Sequence, residues 1–360
     1  MSKGMEIARE SLNTLLAGER LGEERALAVM DAVMDGNVPT SQLAGILIAL
    51  RLLGEGEEEI AGLARAMRRR VERELQPYRT KGFDVLQDRV IDTCGTGGDC
   101  AGTFNISTAA ALIVAAAGVP VAKHGNRAVS GKAGSADVLE ALGIAVDVSP
   151  ALSFRCLTET GFGFFFAPRC HRAMAHAAPA RRELGVPTVF NLLGPLTNPA
   201  GARRQLLGIN RNARVGLMAR VLARLGVQHA WVVHGLDGLD EISLTGPTEV
   251  ARLKNGVVEE TIIDPHDFGF SYCRPEDLQG GDKEHNAAIV QSVLRGVPGP
   301  AHDIVVLNAA AALCVAERVN DLSEGIRLAQ AMITGGAASR LLARLQRLTN
   351  EQTLENQAVG

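Results

Sequence analysis

The run Asp92-Thr93-Cys94-Gly95-Thr96-Gly97-Gly98-Asp99 is the first stretch whose residue types suggest chemistry. It follows an apolar segment, Val90 to Thr93, that reads as a strand, and it precedes an alanine-rich helix expected over Ser107 to Ala117. Glycines at a strand end let backbone N–H groups approach an anion with no Cβ in the way. The helix N-terminus adds partial positive charge, and Asn105, Ser107 and Thr108 place polar side chains there. A plain glycine turn with an ordinary helix cap would read the same way. The pattern is neither GxGxxG nor GxxxxGK[ST], so neither a dinucleotide fold nor a P-loop follows.

A second stretch, Lys123-His124-Gly125-Asn126-Arg127-Ala128-Val129-Ser130-Gly131-Lys132, also follows an expected strand, Val119 to Ala122. Its cations and glycines meet no acid until Asp137. That suits anion binding through side chains and backbone together, although a solvated loop can look alike. Two such loops after successive strands can converge on one phosphorylated ligand. A third stretch, Asp237-Gly238-Leu239-Asp240-Glu241, places adjacent carboxylates after a strand, Ala230 to Val233. Carboxylates so placed suit Mg²⁺, which takes one or two of them with substrate phosphate oxygens; an acidic surface turn is the plainer alternative. The fourth, His171 to Arg182, sets His171, Met174 and His176 on or near one helix, with Arg181 and Arg182 near its end, where cations also serve as dipole partners. Asn191 to Pro199 is turn-rich and reads on its own as a structural loop.

The elements that must position these residues divide in two. From Ile7 to Arg73 the apolar spacing is helical only, as in Ala26, Val29, Met30 and Val33 with Gly36 as a stop. Arg68, Arg69, Arg70 and Arg73 read as a solvated helix face. Pro77 to Asp88 is polar and turn-rich, a linker candidate. From Arg89 strands and helices alternate, with further strands expected at Ile144 to Val148 and Phe162 to Phe166. Ser135 is expected to cap a helix to Leu142, Ser149-Pro150 to open another, and Met174 to Leu184 and Val215 to Leu225 to be helices. Leu244 to Ile263 alternates and turns at Asn255-Gly256, a hairpin signal, and the chain is mostly helical from Asn286. The fold class is therefore α/β: a small all-helical N-terminal domain and a large domain with a central, mostly parallel sheet.

Composition narrows the function. The net charge of −3 argues against non-specific nucleic-acid binding. The six cysteines are scattered with no CxxC pair, which suggests reduced thiols in a cytoplasmic protein rather than a disulfide framework or zinc site. No signal peptide or apolar run of membrane length is visible.

Together the stretches resemble the anthranilate phosphoribosyltransferases, which catalyse the second step of the tryptophan branch. The likeness runs to about residue 345, through GTGGD, TFNIST, VAKHGNRAVSGKAGSADVLEALG, FNLLGPLTNP and HGLDGLDEISLTGPT in family order. It implies a small helical domain over 1–76, joined by a helical segment near 170–190, and a large domain over 77–360. It implies a homodimer, the substrates anthranilate and 5-phosphoribosyl 1-diphosphate, and two Mg²⁺ ions per site. Gly95, Gly98, Asp99, Thr103, Asn105, Ile106, Ser107 and Thr108 would surround the phosphoribosyl donor, as would Lys123, His124, Gly125, Asn126, Arg127, Ala128, Val129, Ser130, Gly131 and Ser135. Ser107 is similar to a ligand of one Mg²⁺, and Asp240 and Glu241 to ligands of the other. Gly95, Asn126 and Arg181 match anthranilate contacts, with His124 and His171 lining the approach. No dedicated acid or base is implied. Cys100 stands where the family commonly has glycine, and Ala133 where it has serine. Pyrimidine nucleoside phosphorylases share the fold, as would a nucleic-acid-binding relative without catalysis; the KHGNR loop, Arg181 and the Asp240-Glu241 pair favour the transferase over the first, and the acidic net charge and intact motifs count against the second.

Overall fold

The computed structural model describes residues 2–128, 132–210 and 214–358. Four helices open the chain: α1 (Lys3–Leu16), α2 (Gly22–Met34), α3 (Thr40–Leu53) and α4 (Glu57–Leu75). Their apolar stripes meet at Ala26, Met30, Ile46, Leu50, Ile60 and Ala64, all buried. The linker is packed rather than loose. Around the short helix α5 (Phe83–Leu86) it sinks Phe83 completely, edge-on to Phe154 at 4.9 Å. Burying such a ring is worth roughly 1.5–3 kcal/mol.

The large region then runs β1 (Ile91–Gly95), α6 (Ile106–Ala116), β2 (Val121–Gly125), α7 (Ser135–Ala141), α8 (Pro150–Thr160) and β3 (Phe162–Phe166). It continues with α9 (Ala167–Cys170), α10 (Ala178–Leu184), α11 (Phe190–Leu196), β4 (Arg204–Gly208), α12 (Val215–Arg224), β5 (His229–Gly235), β6 (Thr248–Lys254) and β7 (Val257–Ile263). It ends in α13 (Lys283–Leu294), α14 (Pro300–Val315), α15 (Leu322–Thr334) and α16 (Ala337–Ala358). The sheet order is β3-β2-β1-β4-β5-β6-β7, with β1 to β5 parallel and the last two strands antiparallel. The β6–β7 turn falls at Asn255-Gly256, both at positive φ, as its sequence requires. Helix α6, buried on every side from Ala109 to Val114, lies against the sheet centre in one apolar cluster with α14. Short, small side chains there let helix and sheet approach closely.

Several expectations change. Ile144 to Val148 forms no strand. Ile144 and Val146 are buried, but the Ala145 N–H donates to Thr349 Oγ1 of α16 at 3.2 Å, so the segment lines a helix instead of joining the sheet. Met174 to Leu184 is not one helix: a 3-10 stretch, Arg172–Ala177, precedes α10, which starts just before Pro179. Proline lacks an N–H and favours a first turn, so the break falls there. Arg68 is not on a solvated face; its Nε donates to Leu196 O and its Nη1 to Leu225 O at 2.9 Å. It thereby caps α11 and α12 from α4. Ser135 is also the first helical residue of α7 rather than its cap, which is Gly134.

The bundle shares an apolar cluster with Ala177, Ala180, Phe190, α12 and β4 to β6. Arg224, on α12, adds ion pairs to Glu23, Glu57 and Glu58. Among the described residues, no helix is long and apolar enough to cross a membrane.

Candidate active site

The carboxyl ends of β1, β2 and β5 bring three of the four stretches together, where parallel α/β sheets bind ligands. Strand β4 stands between β1 and β5, so the turn after β5 must cross over its end. Gly95 and Gly208 are partners in register at the ends of β1 and β4. A Cβ on Gly208 would fall inside the Asp240 carbonyl, and one on Gly95 would lie 2.8 Å from Asp240 Cγ. These paired glycines let the acidic turn fold over the strand ends. Gly97 N–H then donates to Asp240 Oδ2 at 2.7 Å, and Ser107 N–H, in the first turn of α6, to Glu241 Oε1 at 3.0 Å. Gly208 gave no sequence signal beyond an apolar run ending in glycine, and β4 itself was not anticipated.

Asp237, in the same motif, faces elsewhere. Its carboxylate accepts from Leu239 N–H at 3.1 Å, from Ser243 Oγ at 2.6 Å and from Thr245 Oγ1. Asn308, fully buried on α14, accepts from Ile242 N–H at 3.0 Å and donates to Ile242 O at 2.9 Å. Asp240 and Glu241 are thus fixed between two clamps. Burial, then the Asp99 carboxylate, raises the Asp240 pKa to about 7. Burial, then Asp240, raises Glu241 to about 8, against the opposing pull of Lys123 and the Ser107 N–H. Like charges crowded in a desolvated place are costly unless a cation neutralises them.

The Gly95 to Asn105 turn is built from unusual backbone. Gly97, Gly98, Cys100 and Gly102 all have positive φ, and Cys100 at +59° is the one side chain there forced into that region. Asp99 Oδ1 accepts from Ala101 N–H at 3.3 Å. Thr103 bridges to Gln279. Asn105 Nδ2 donates to Ala133 O at 3.3 Å, linking this turn to the next. Ile106 is buried in the core, and its N–H donates to Phe104 O at 2.8 Å. Thr108 Oγ1 is buried without a hydrogen-bond partner.

In the second stretch the cations separate. Lys123 is 2 % exposed and points inward; its Nζ donates to Thr93 O at 2.6 Å and to Ser107 Oγ at 3.2 Å. Burial lowers its pKa, opposed first by Asp92. Asp92, buried beneath it, is raised to about 6 by desolvation against Asn198, Lys123 and the His124 N–H. Arg127 turns outward into a two-pronged pair with Glu140, at 2.6 Å for each bond, and reaches Asp137 at 3.3 Å. Asp137 also accepts the Ala128 N–H at 2.9 Å. Arg127 N–H donates to Asn126 Oδ1 at 2.8 Å, and Ser135 Oγ lies against Gly125 and Asn126 O. Val129, Ser130 and Gly131 lie outside the described residues.

The fourth stretch forms the side wall. The His124 and His171 rings stand 5.0 Å apart. His124 Nδ1 meets Gly194 O at 3.2 Å, so the Asn191 to Pro199 stretch is their backing; up to Leu196 it is helix α11 rather than the loop its turn-rich sequence suggests. Each Nε2 is buried with no partner. Burial, then the neighbouring His171, lowers His124 to about 3, and burial lowers His171 to about 4; both rings are neutral near pH 7. His176 instead packs against Gly36 of the bundle. Arg181 stands over the Phe190 ring at 5.1 Å, and no carboxylate pairs with it among the described residues.

The chain matches known proteins throughout. Residues 9–71 match the glycosyl transferase family, helical bundle domain, and residues 87–339 the same family's a/b domain. The anthranilate phosphoribosyltransferase of Laribacter hongkongensis is 52% identical over 343 residues, 95% of this chain and 98% of that one. The crystal structure of anthranilate phosphoribosyltransferase from Thermus thermophilus superposes with a TM-score of 0.86 at 44% identity, covering 94% of this chain and 99% of that one. The enzyme from Saccharomyces cerevisiae in complex with PRPP and Mg superposes at 0.82 with 25% identity, covering 97% and 99%. The chain belongs to the anthranilate phosphoribosyltransferase family.

Proposed function

We propose that the chain transfers the phosphoribosyl group of 5-phosphoribosyl 1-diphosphate to the amine of anthranilate, releasing diphosphate. The observation that carries this reading is the convergence of the β1, β2 and β5 turns at one end of the sheet, with the His124 and His171 rings beside them. The diphosphate and ribose would lie between the Gly95–Thr108 and Lys123–Ser135 stretches. Arg181 would take the anthranilate carboxylate, Gly95 and Asn126 would meet the aromatic amine, and His124 and His171 would line its approach.

The donor set fits Mg²⁺: Asp240, Glu241 and the Ser107 hydroxyl are hard oxygen donors, and the two carboxylates are crowded and desolvated. Among the described residues no cluster of three or more His, Cys, Asp or Glu side chains makes a ready metal cage. That suits an ion completing its shell with substrate oxygens and water. Ser107 would hold one ion and Asp240 with Glu241 a second. Bound there, Mg²⁺ would neutralise charge on the diphosphate.

In the reaction the amine lone pair forms the N–C1 bond while the C1–O bond breaks and its electrons leave with diphosphate. The attacking nitrogen then sheds a proton to solvent or diphosphate. The aryl amine is neutral at pH 7, so no strong base is needed, and the two histidines, lowered to about 3 and 4, would be poor ones. The protein's part is positioning, backbone donors aimed at growing negative charge, and exclusion of water. The exposed Leu16 and Leu52 of the bundle suit a homodimer joined through the small domains, and the six unpaired cysteines suit the cytoplasm. Mixing the chain with anthranilate and 5-phosphoribosyl 1-diphosphate should quench anthranilate fluorescence with Mg²⁺ and not without it. Phosphorolysis of uridine or thymidine with no such quenching would replace this reading by a nucleoside phosphorylase.

A further inference from the structure

The Gly95–Asn105 turn needs outside support, because four residues in it are at positive φ and it has no regular structure of its own. The segment before α13 supplies that support. Phe104 N–H donates to Leu278 O at 3.2 Å, Gly280 N–H to Gly102 O at 2.8 Å, and Gln279 Nε2 to Ala101 O at 2.9 Å. At the end of this pairing stands Asn286, 2 % exposed, in the first turn of α13. Its Oδ1 accepts from Gly281 N–H at 2.7 Å, and its Nδ2 donates to Asn105 Oδ1 at 3.0 Å. Asn105 passes the chain on to Ala133 O.

The ends of this relay dictate its direction. The Gly281 N–H can only donate, so the oxygen of Asn286 must face it. The Nδ2 of Asn286 then needs an acceptor, which turns the Asn105 oxygen toward it. The Asn105 nitrogen is left for the Ala133 carbonyl, which can only accept. Both amide orientations are therefore fixed by chemistry. A buried polar group costs most when its partner is removed, so the chain holds as a unit.

We propose that Asn286 is a positioning residue for the ribosyl donor: through Asn105 it sets the spacing of the Gly95 and Lys123 turns that embrace it. This rests on the proposed transferase reading. Asn286 does not touch the donor; it decides which atoms Asn105 has left to offer and where the second turn sits. Anthranilate, whose carboxylate would be held by Arg181 outside both turns, is much less sensitive to it than the donor.

The test uses the whole chain, with Mg²⁺ and 5-phosphoribosyl 1-diphosphate as the titrant. Asn286→Asp keeps the acceptor for Gly281 but faces Asn105 with a second oxygen. It should raise the donor's KM and Kd about tenfold, the effect of orphaning one buried hydrogen-bonding group, while KM for anthranilate changes less than twofold. Asn286→Ser, which cannot reach Asn105, should do the same more weakly. Asn105→Ala and Asn286→Ala should be non-additive, the double variant binding the donor no worse than Asn105→Ala alone. Equal rises in both KM values, additive losses, or unchanged donor binding in folded Asn286→Asp or Asn286→Ser would overturn the proposal. A wild-type chain that binds no donor at all would instead overturn the transferase reading.

Discussion

Among the described residues, the turn after β1 has no ion pair from Gly95 to Asn105, whereas the turn after β2 is secured by Arg127 against Glu140 and Asp137 and by Lys123 buried beneath it. The first is held by backbone: glycines, Gly97 N–H on Asp240, and the strand-like pairing with residues 278–280. The second is held by charge and by helix capping at α7. Both serve one end of the sheet, yet they should fail differently. Backbone geometry is intolerant of an added atom and little affected by salt. Side-chain charge tolerates atoms and is screened.

The largest expected effect comes from adding a methyl group to each turn. On Gly95 it would meet the Asp240 carboxylate, which is held by the Gly97 N–H, and a displacement near 1 Å at a reacting site costs about 100-fold. Gly95→Ala should therefore lose about two orders of magnitude in kcat/KM. On Gly125 the nearest obstacles are the Ser135 hydroxyl and the edge of Phe164, both side chains. Gly125→Ala should lose about tenfold, because the Ser135 hydroxyl, held only by a 3.5 Å bond to Asn126 O, can rotate away, whereas the Asp240 carboxylate is tied to the Gly97 N–H at 2.7 Å. Steady-state kinetics on both variants would break the comparison if the order reversed.

Acid sensitivity separates the turns next. His124 and His171 are held near 3 and 4 when folded, against about 6.5 unfolded. As pH falls below about 6.5, the unfolded chain binds protons that the folded chain refuses. The stability these rings confer is present above that pH and lost as pH falls toward 4. His124→Asn should flatten the slope of unfolding free energy between pH 4 and 6.5, by up to ~1.4 kcal/mol per pH unit. Thr103→Ala, in the first turn, should leave the slope as it is. Denaturant melts across that range decide it.

Removing the exposed ion pair is a milder change. Arg127→Met should cost about 0.2–1 kcal/mol of stability, as exposed pairs do, with the cost shrinking in high salt. A large, salt-independent loss would show that the second turn too depends on rigid geometry.

Cys100→Gly is the smallest. Relief of a side chain at φ +59° favours it by about 1 kcal/mol, and the extra freedom of glycine when unfolded offsets about the same. Turnover should stay within twofold and stability within about 1 kcal/mol. A collapse in turnover would show that the Cys100 side chain has a task of its own.

The sequence made the strand-then-turn pattern of both loops, the acidic pair and the β6–β7 hairpin legible, because each is local: glycine, charge and Asn-Gly act through neighbouring residues. What it hid is non-local. Nothing near Gly208 announces that a turn from β5 must pass over it. Asn286 lies 181 positions from the Asn105 it orients. Arg68 looks solvated until α11 and α12 pack their exposed carbonyls against it. Ile144 to Val148 has the alternation of a strand, but a helix reaches its backbone first. Lys123 and Arg127 are four residues apart in one basic run, and only the fold turns one inward and the other out.

The central claim is that both turns grip one donor with anthranilate beside it. A crystal structure of the chain with 5-phosphoribosyl 1-diphosphate, Mg²⁺ and a slowly reacting anthranilate analogue tests it most directly. The account predicts the ribose between Gly95 and Asn126, the diphosphate against the Gly98–Thr108 stretch, and the analogue's carboxylate on Arg181. A donor bound to only one of the two turns, or an analogue carboxylate away from Arg181, would contradict it.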